Sequence, residues 1–118
     1  MDYQGFRCYT DGSKTSHGVG SVTCAMIHTH ILKTRCFGLE KHATVFQAEL
    51  HAIKQATRVI EASIPDKDTD REFGKIRILS DSQAALMSLD RIDTDSQLVK
   101  EVKEALNLLG NTLSVELA

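Results

Sequence analysis

The spacing of apolar residues changes at Thr44, and this change limits the folds that the chain can adopt. Before it, residues 6–10, 18–27 and 31–37 are rich in Val, Ile, Thr, Cys, Phe and Tyr, the residue types that favour β-strands. The short segments DGSKTSH and HTH separate these runs. The pattern predicts a three-stranded antiparallel meander.

A long amphipathic helix is predicted to begin at Thr44. Thr44 and Gln47 have the spacing of a capping box, which closes the first turn of a helix. Apolar residues then recur at steps of three and four, as at Phe46, Ile53, Ala56 and Ile60.

The second half of the chain alternates helical and strand-like segments. EASIPDKDTDREFGK, residues 61–75, contains the only proline and many charges, and we expect it to be the most mobile internal loop. KIRILSD predicts a buried strand, SQAALMSL a short helix, and TLSVELA the start of a last strand. Another helix, ended by Gly110, has an apolar stripe at Leu98, Val102, Ala105, Leu106 and Leu109. This order predicts an α/β fold with a mixed sheet covered by helices.

Composition places the chain in the soluble globular class. Its 118 residues fit one domain, 1–118, with 42% hydrophobic and 25% charged residues. There is no apolar run of membrane-spanning length and no targeting signal, so we expect an intracellular protein without a membrane partner. The three cysteines are widely spaced in strand-like runs, which predicts reduced thiols in the core. A net charge of −2 provides no bulk attraction to nucleic acids.

Glu49 lies on the apolar stripe of the predicted helix, between Phe46 and Ile53. A carboxylate that faces the core requires a proton, a cation or hydrogen bonds to compensate for lost hydration. Alternatively, Glu49 extends outward to water, since it is close enough to the helix start to favour the N-terminal dipole. The pattern alone leaves both possibilities open.

Two further acids follow strand-like runs. Asp11 ends FRCYT and Asp81 ends IRIL, and the carboxyl ends of parallel strands are a common position for ligand sites. Asp11 could instead serve a turn with Gly12, and Asp81 could cap the next helix, a role that Ser80 or Ser82 could equally fill.

Convergence of these acids would favour a metal site. Three carboxylates without a basic partner repel one another, and Mg²⁺ bound by their oxygens would relieve that repulsion. A pair of such ions about 4 Å apart can activate water and stabilise the leaving oxygen in phosphodiester cleavage. Asp11, Glu49 and Asp81 are therefore the candidate catalytic and metal-binding residues.

YTDGS with Asp11, FQAELHAI with Glu49 and ILSDSQAAL with Asp81 resemble, in order, the motifs of the ribonuclease H family. The segments DGSKT, KHATVFQAELHAI and SDSQAAL are most similar to the ribonuclease H domain of insect-type non-LTR retrotransposons. In those elements the domain belongs to a reverse-transcriptase polyprotein. The resemblance covers nearly the whole chain.

The resemblance implies a fold, a substrate and a cofactor. The fold would be a five-stranded mixed sheet, three antiparallel strands followed by two parallel ones, flanked by helices. The chain would cleave the RNA strand of RNA–DNA hybrids endonucleolytically, using two Mg²⁺ ions, for which Mn²⁺ can substitute, at Asp11, Glu49 and Asp81. The hybrid would approach along Gly12, Ser13, Ser82 and Gln83, and RNA would be distinguished by its 2′-hydroxyls. A reverse transcriptase domain in the same polyprotein would be the partner.

The chain also departs from the family pattern. The family has a fourth carboxylate on a helix after the last strand, preceded by a glycine-rich loop with a histidine, and this sequence stops at SVELA. We therefore expect a C-terminally truncated form with weakened metal binding. Val45 and Phe46 occupy the region where cellular relatives carry amides, and DRIDTD replaces a basic protrusion.

Two alternatives to an active ribonuclease H follow from these departures. The first is a non-catalytic module of the same fold with a structural or nucleic-acid-binding role. The second, another nuclease or an integrase on the same scaffold, agrees less well with DGS, AEL and SDSQ.

Overall fold

The computed structural model of the chain describes residues 5–63, 76–91, 96–110 and 115–118. These residues form five strands and three helices. In chain order they are β1 (Arg7–Thr15), β2 (Gly18–Ile27), β3 (His30–Leu39), α1 (Val45–Ser63), β4 (Ile76–Ser80), α2 (Gln83–Asp90), α3 (Gln97–Gly110) and β5 (Val115–Leu117). None of these three helices is both long and apolar enough to span a membrane.

The strands form one mixed sheet in the order β3-β2-β1-β4-β5. β1, β2 and β3 pair antiparallel as a meander. β4 pairs parallel with β1, and β5 pairs parallel with β4. The predicted fold, three antiparallel strands followed by two parallel ones with flanking helices, is confirmed.

β1 is longer than the sequence pattern predicts. The DGSKTSH segment was expected to leave the strand at Asp11, but pairing with β2 continues as far as Thr15↔Gly18. Pairing with β4, in contrast, ends at Thr10↔Ser80. The prediction that Asp11 ends a strand is therefore wrong for β1 itself, although Asp11 does follow the last residue that pairs with β4.

Side-chain caps fix the starts of α1 and α2. The capping box is confirmed, since the Thr44 N–H donates to Gln47 Oε1 at 2.9 Å and the Gln47 N–H donates to Thr44 Oγ1 at 3.0 Å. At α2 the cap is Ser82, whose hydroxyl accepts from the Ala85 N–H at 3.1 Å. Asp81 is therefore not needed for capping.

The core lies on the face of the sheet that α1 covers. Cys8 of β1, Leu50 and Ile53 of α1, and Ile78 of β4 are fully buried in one cluster, which Val102 of α3 extends. The opposite face has no cover among the described residues. We call it the bare face; its members include Tyr9 and Val22, which are 44% and 39% exposed.

The cysteine prediction is only partly right. All three thiols are free, but only Cys8 belongs to the core, whereas Cys24 is half-buried and Cys36 is exposed. Strand alternation explains the difference, because Cys8 points to the covered face while Cys24 and Cys36 point to the bare face. Of the predicted loop at residues 61–75, residues 61–63 belong to α1 and the rest lies outside the described residues.

Candidate active site

Asp11 and Asp81 leave neighbouring strands at the same end of the sheet. Because Thr10 is the register partner of Ser80, the residues that follow them are side by side. The Thr10 hydroxyl donates to the Leu79 carbonyl at 2.8 Å and joins the two strands at this point. Both aspartates are exposed.

Gly12 brings α1 against this end of β1. A Cβ atom at Gly12 would lie 2.5 Å from the backbone nitrogen of Glu49 and 2.6 Å from the carbonyl carbon of Ala48. Such distances are shorter than any real Cβ contact, so only glycine allows the helix to come this close. The glycine in YTDGS therefore sets the separation between Glu49 and the strand that carries Asp11.

Glu49 is buried beside the two aspartates. Glu49 is only 7% exposed, so of the two orientations that the sequence left open the structure adopts the one that faces the sheet. The backbone N–H of Gly12 donates to its carboxylate, and its Oε2 is buried without a hydrogen-bond partner. Burial raises the pKa of Glu49, and the charges of Asp11 and Asp81 raise it further, against the lowering effect of the Gly12 hydrogen bond.

A pocket of about 500 Å³ opens beside the two aspartates on the bare face. Its lining consists of Tyr9, Thr10, Asp11, Val22, Cys24, Leu79, Ser80, Asp81 and Ala118. Sequence reasoning missed the apolar members, because Val22 and Cys24 belong to β2 and join the pocket only through strand pairing. Asp11 pairs with Val22 in that register.

The predicted substrate-contacting residues divide into two pairs. Ser13 and Gln83 are exposed beside the aspartates and are available to a ligand. Gly12 packs on α1, and Ser82 caps α2, so each has a structural contact in addition to any contact with a substrate. A role in hybrid binding stays a prediction for all four.

The acids have the donor chemistry of a Mg²⁺ site. Neither ion pair recorded for the described residues, Lys54–Glu101 or Arg77–Glu116, includes any of the three. The buried, unpartnered Glu49 Oε2 is a hard oxygen ligand of the type that Mg²⁺ prefers. Within the described parts of the chain, no three His, Cys, Asp or Glu side chains are yet grouped closely enough to hold an ion. Binding would therefore have to draw the exposed aspartates toward Glu49.

Glu116 does not contribute a fourth acid. It lies in β5, and its carboxylate is 3.3 Å from Arg77 Nε on the neighbouring strand.

Solved structures with the same architecture were found by comparison of the folds. The RNase H1 of the archaeon Halobacterium salinarum superimposes with a TM-score of 0.68 at 18% identity, over 96% of this chain and 84% of that one. LC11-RNase H1, solved in complex with an RNA/DNA hybrid, gives 0.72 at 12% identity, over 96% and 83%. The chain has the ribonuclease H fold.

A third similar structure is a much longer protein. The foamy viral protease-reverse transcriptase, also solved in complex with an RNA/DNA hybrid, gives a TM-score of 0.67 at 15% identity. The match covers 98% of this chain and 17% of the viral one. At these identities the likeness establishes the fold alone. No protein-family model matches the sequence, and no curated protein matches it significantly.

Proposed function

We propose that the protein is a metal-dependent ribonuclease H that cleaves the RNA strand of RNA–DNA hybrids endonucleolytically. One observation carries this proposal: the carboxylate of Glu49 is buried with an unpartnered oxygen, and the charges of Asp11 and Asp81 act on it. A fold that merely needed stability would gain by replacing such a group, because a buried charge without a partner is costly.

Asp11, Glu49 and Asp81 are the residues that would hold two Mg²⁺ ions, or Mn²⁺ in their place. When bound, the ions would supply activation of a water molecule and stabilisation of the leaving 3′ oxygen. Three carboxylates would also become compatible with one another at neutral pH, because the positive charges offset their repulsion.

The chain itself prepares these ligands. The Gly12 N–H orients one oxygen of Glu49 and leaves Oε2 available. The Thr10–Leu79 hydrogen bond fixes the strands that carry the two aspartates. Ser82 caps α2, so that Asp81 keeps its carboxylate for a ligand.

Two kinds of support favour a hybrid as the substrate. The motifs around the three acids resemble those of ribonuclease H, and two proteins of the same fold were solved with an RNA/DNA hybrid. Ser13 and Gln83 have exposed side chains close in sequence to Asp11 and Asp81, and we expect them to contact the phosphate backbone of the hybrid. Contacts to 2′-hydroxyls, rather than to base edges, would make cleavage nearly independent of sequence.

We further propose, from the resemblance to retrotransposon sequences, that this domain is part of a reverse-transcriptase polyprotein. The match to part of the foamy viral protease-reverse transcriptase agrees with such a setting. Because the net charge is −2, we expect a neighbouring domain to contribute affinity for the nucleic acid.

Cleavage of labelled duplexes would test the proposal. An RNA–DNA hybrid, a DNA duplex and an RNA duplex are each incubated with the protein in Mg²⁺, Mn²⁺ or EDTA. Asp11→Asn, Glu49→Gln and Asp81→Asn are compared with Glu104→Gln, which removes an exposed acid on α3. We expect metal-dependent cleavage of the hybrid's RNA strand by the parent and by Glu104→Gln, reduced at least about 100-fold in the other three variants, since ligand loss removes most of the metal's contribution.

Binding of Mn²⁺ without cleavage would instead favour the non-catalytic module of the same fold. Cleavage that persists in EDTA, or that Asp11→Asn leaves unchanged, would contradict the assigned site.

A further inference from the structure

Ser21 of β2 and His51 of α1 form a part-buried polar contact on the side of α1 that faces β2 and β3. The Ser21 hydroxyl oxygen lies 2.8 Å from His51 Nδ1, and Ser21 is only 2% exposed. The His51 ring packs edge-on against Phe37 of β3, with ring centroids 5.2 Å apart. Because Ser21 is buried, its hydroxyl requires a hydrogen-bond partner, and the half-buried His51 ring provides one.

The sheet register connects this contact to the proposed active site. Ser21 is the strand partner of Gly12, so the two residues lie directly opposite each other on β2 and β1. Gly12 donates its N–H to the Glu49 carboxylate, and Ser21 binds the side chain two residues further along the same helix. One pair of facing strand residues therefore holds both Glu49 and His51.

The two contacts lie on opposite flanks of α1. Residues two apart on a helix project about 200° from each other, so Glu49 faces β1 and β4 while His51 faces β2 and β3. Rotation of the helix that brings one side chain closer to the sheet moves the other away. Together the contacts fix the rotation of α1 about its axis, and the Thr23 hydroxyl, which donates to the Ala52 carbonyl at 2.8 Å, fixes its height.

The environment of Glu49 makes such a restraint necessary. Its Oε2 is buried without a partner, so the ionised side chain is stabilised by any rotation of α1 that returns it to water. That rotation would pull His51 from Ser21 and from Phe37. We infer that Ser21 and His51 are positioning residues that hold the Glu49 carboxylate over Gly12, toward Asp11 and Asp81. Their importance for metal binding rests on the proposed function.

Four substitutions separate the polar contact from simple packing. Ser21→Ala removes the hydroxyl, and His51→Phe keeps a ring against Phe37 but removes Nδ1. His51→Asn loses the ring but places a nitrogen donor at the position of Nδ1. Ile60→Val, a conservative change at a fully buried position far along α1, serves as the control for general loss of stability.

Two measurements on the full chain test the inference. The first is hydrogen exchange of the Gly12 amide by NMR without metal, which reports whether that amide still donates to Glu49. The second is the affinity for Mn²⁺, followed by paramagnetic broadening of the Gly12 and Ser82 amide signals. We expect Ser21→Ala and His51→Phe to accelerate Gly12 exchange and to weaken Mn²⁺ binding about tenfold, at the lower end of the range for residues that support metal ligands. His51→Asn should recover part of both, and Ile60→Val should change neither.

The outcomes separate this inference from the proposed function. Gly12 exchange and Mn²⁺ affinity at parental values in Ser21→Ala and His51→Phe would overturn the positioning role, and so would an equal change in Ile60→Val. If the two variants exchange the Gly12 amide faster but the parent protein binds no Mn²⁺, the positioning of Glu49 is supported. The same result counts against the proposed metal site.

Discussion

Polar groups on the two faces of the sheet differ in their burial and in their hydrogen bonding. On the covered face, the hydroxyls of Thr10 and Thr23 each donate to a carbonyl, whereas Glu49 has a buried oxygen without a partner. On the bare face, Tyr9 and Val22 stay partly in water, and Asp11 is exposed beside them. The candidate site lies where the faces meet, with its buried acid on one side and its exposed acids on the other. The three acids therefore differ in how far their side chains can move. Glu49 is held in place by packing, whereas the exposed aspartates can move toward a ligand.

Truncation of a side chain should lower the free energy of unfolding far more on the covered face than on the bare face. Ile53→Ala on α1 should lower the free energy of unfolding by about 3 kcal/mol, because it empties a fully buried position. Ile31→Ala on β3 should change it by less than about 0.5 kcal/mol, because Ile31 is 64% exposed. Urea unfolding of both variants measures the contrast. Equal losses would show that the bare face is covered in solution.

The contact between Gly12 and α1 comes next in size. Gly12→Ala should lower the free energy of unfolding by about 2 kcal/mol, because its methyl group meets backbone atoms that cannot move independently. Gly38→Ala on β3 is the matched control, since no atom lies within 4 Å of a Cβ placed there. Thermal or urea unfolding would measure both, and a Gly12→Ala variant as stable as Gly38→Ala would disprove the close approach of helix and strand.

Glu49 should make stability depend on pH in metal-free buffer. Its folded pKa is raised above the ordinary value of 4.5, so between the two values the folded chain binds more protons than the unfolded one. Stability therefore falls as pH rises through the folded pKa and stays lower above it. Glu49→Gln should be more stable than the parent at pH 8 in EDTA, and this advantage should shrink as the pH approaches 4.5.

Urea unfolding across this pH range, with Glu104→Gln as the exposed control, measures the effect. If Glu49→Gln is more stable than the parent by the same amount at all pH values, the cause is packing and not the buried charge.

The reactivity of the cysteine thiols compares the two faces at single residues, where we expect the smallest effect. Burial raises the pKa of Cys8 to about 12, so this thiol should not react with a thiol-specific reagent in the folded protein at pH 8. Cys36, which is exposed, should react readily, and half-buried Cys24 more slowly. Mass spectrometry after timed labelling resolves the three sites. Rapid labelling of Cys8 would mean that the covered face opens in solution.

Local patterns predicted most of the elements but not the way they meet. The capping box at Thr44 and the stripe at Ile53 and Ile60 depend on neighbours within two turns, so they are readable in the sequence. The alternation of strands and helices likewise predicted a mixed sheet. The place of Glu49 on that stripe left its burial as one of two possibilities, and only the structure decides between them.

The remaining features depend on pairings between distant residues. β1 extends past Asp11 because β2 continues to pair with it, and no residue in DGSKTSH signals this. The contact of Ser21 with His51 spans 30 residues. The cap of α2 was open in the sequence because three adjacent residues were suitable, and the structure shows that it is Ser82.

The unequal pairing of β1 also bears on the order of folding. Its contacts with β2 join residues close in sequence, whereas the Thr10–Leu79 hydrogen bond closes a separation of 69 residues. Short loops close at lower entropic cost than long ones, so the β1–β2 hairpin is expected to form early and the docking of β4 late. A nascent chain would then carry Asp11 and Glu49 for some time before Asp81 arrives, and any catalytic competence would be among the last properties that it acquires.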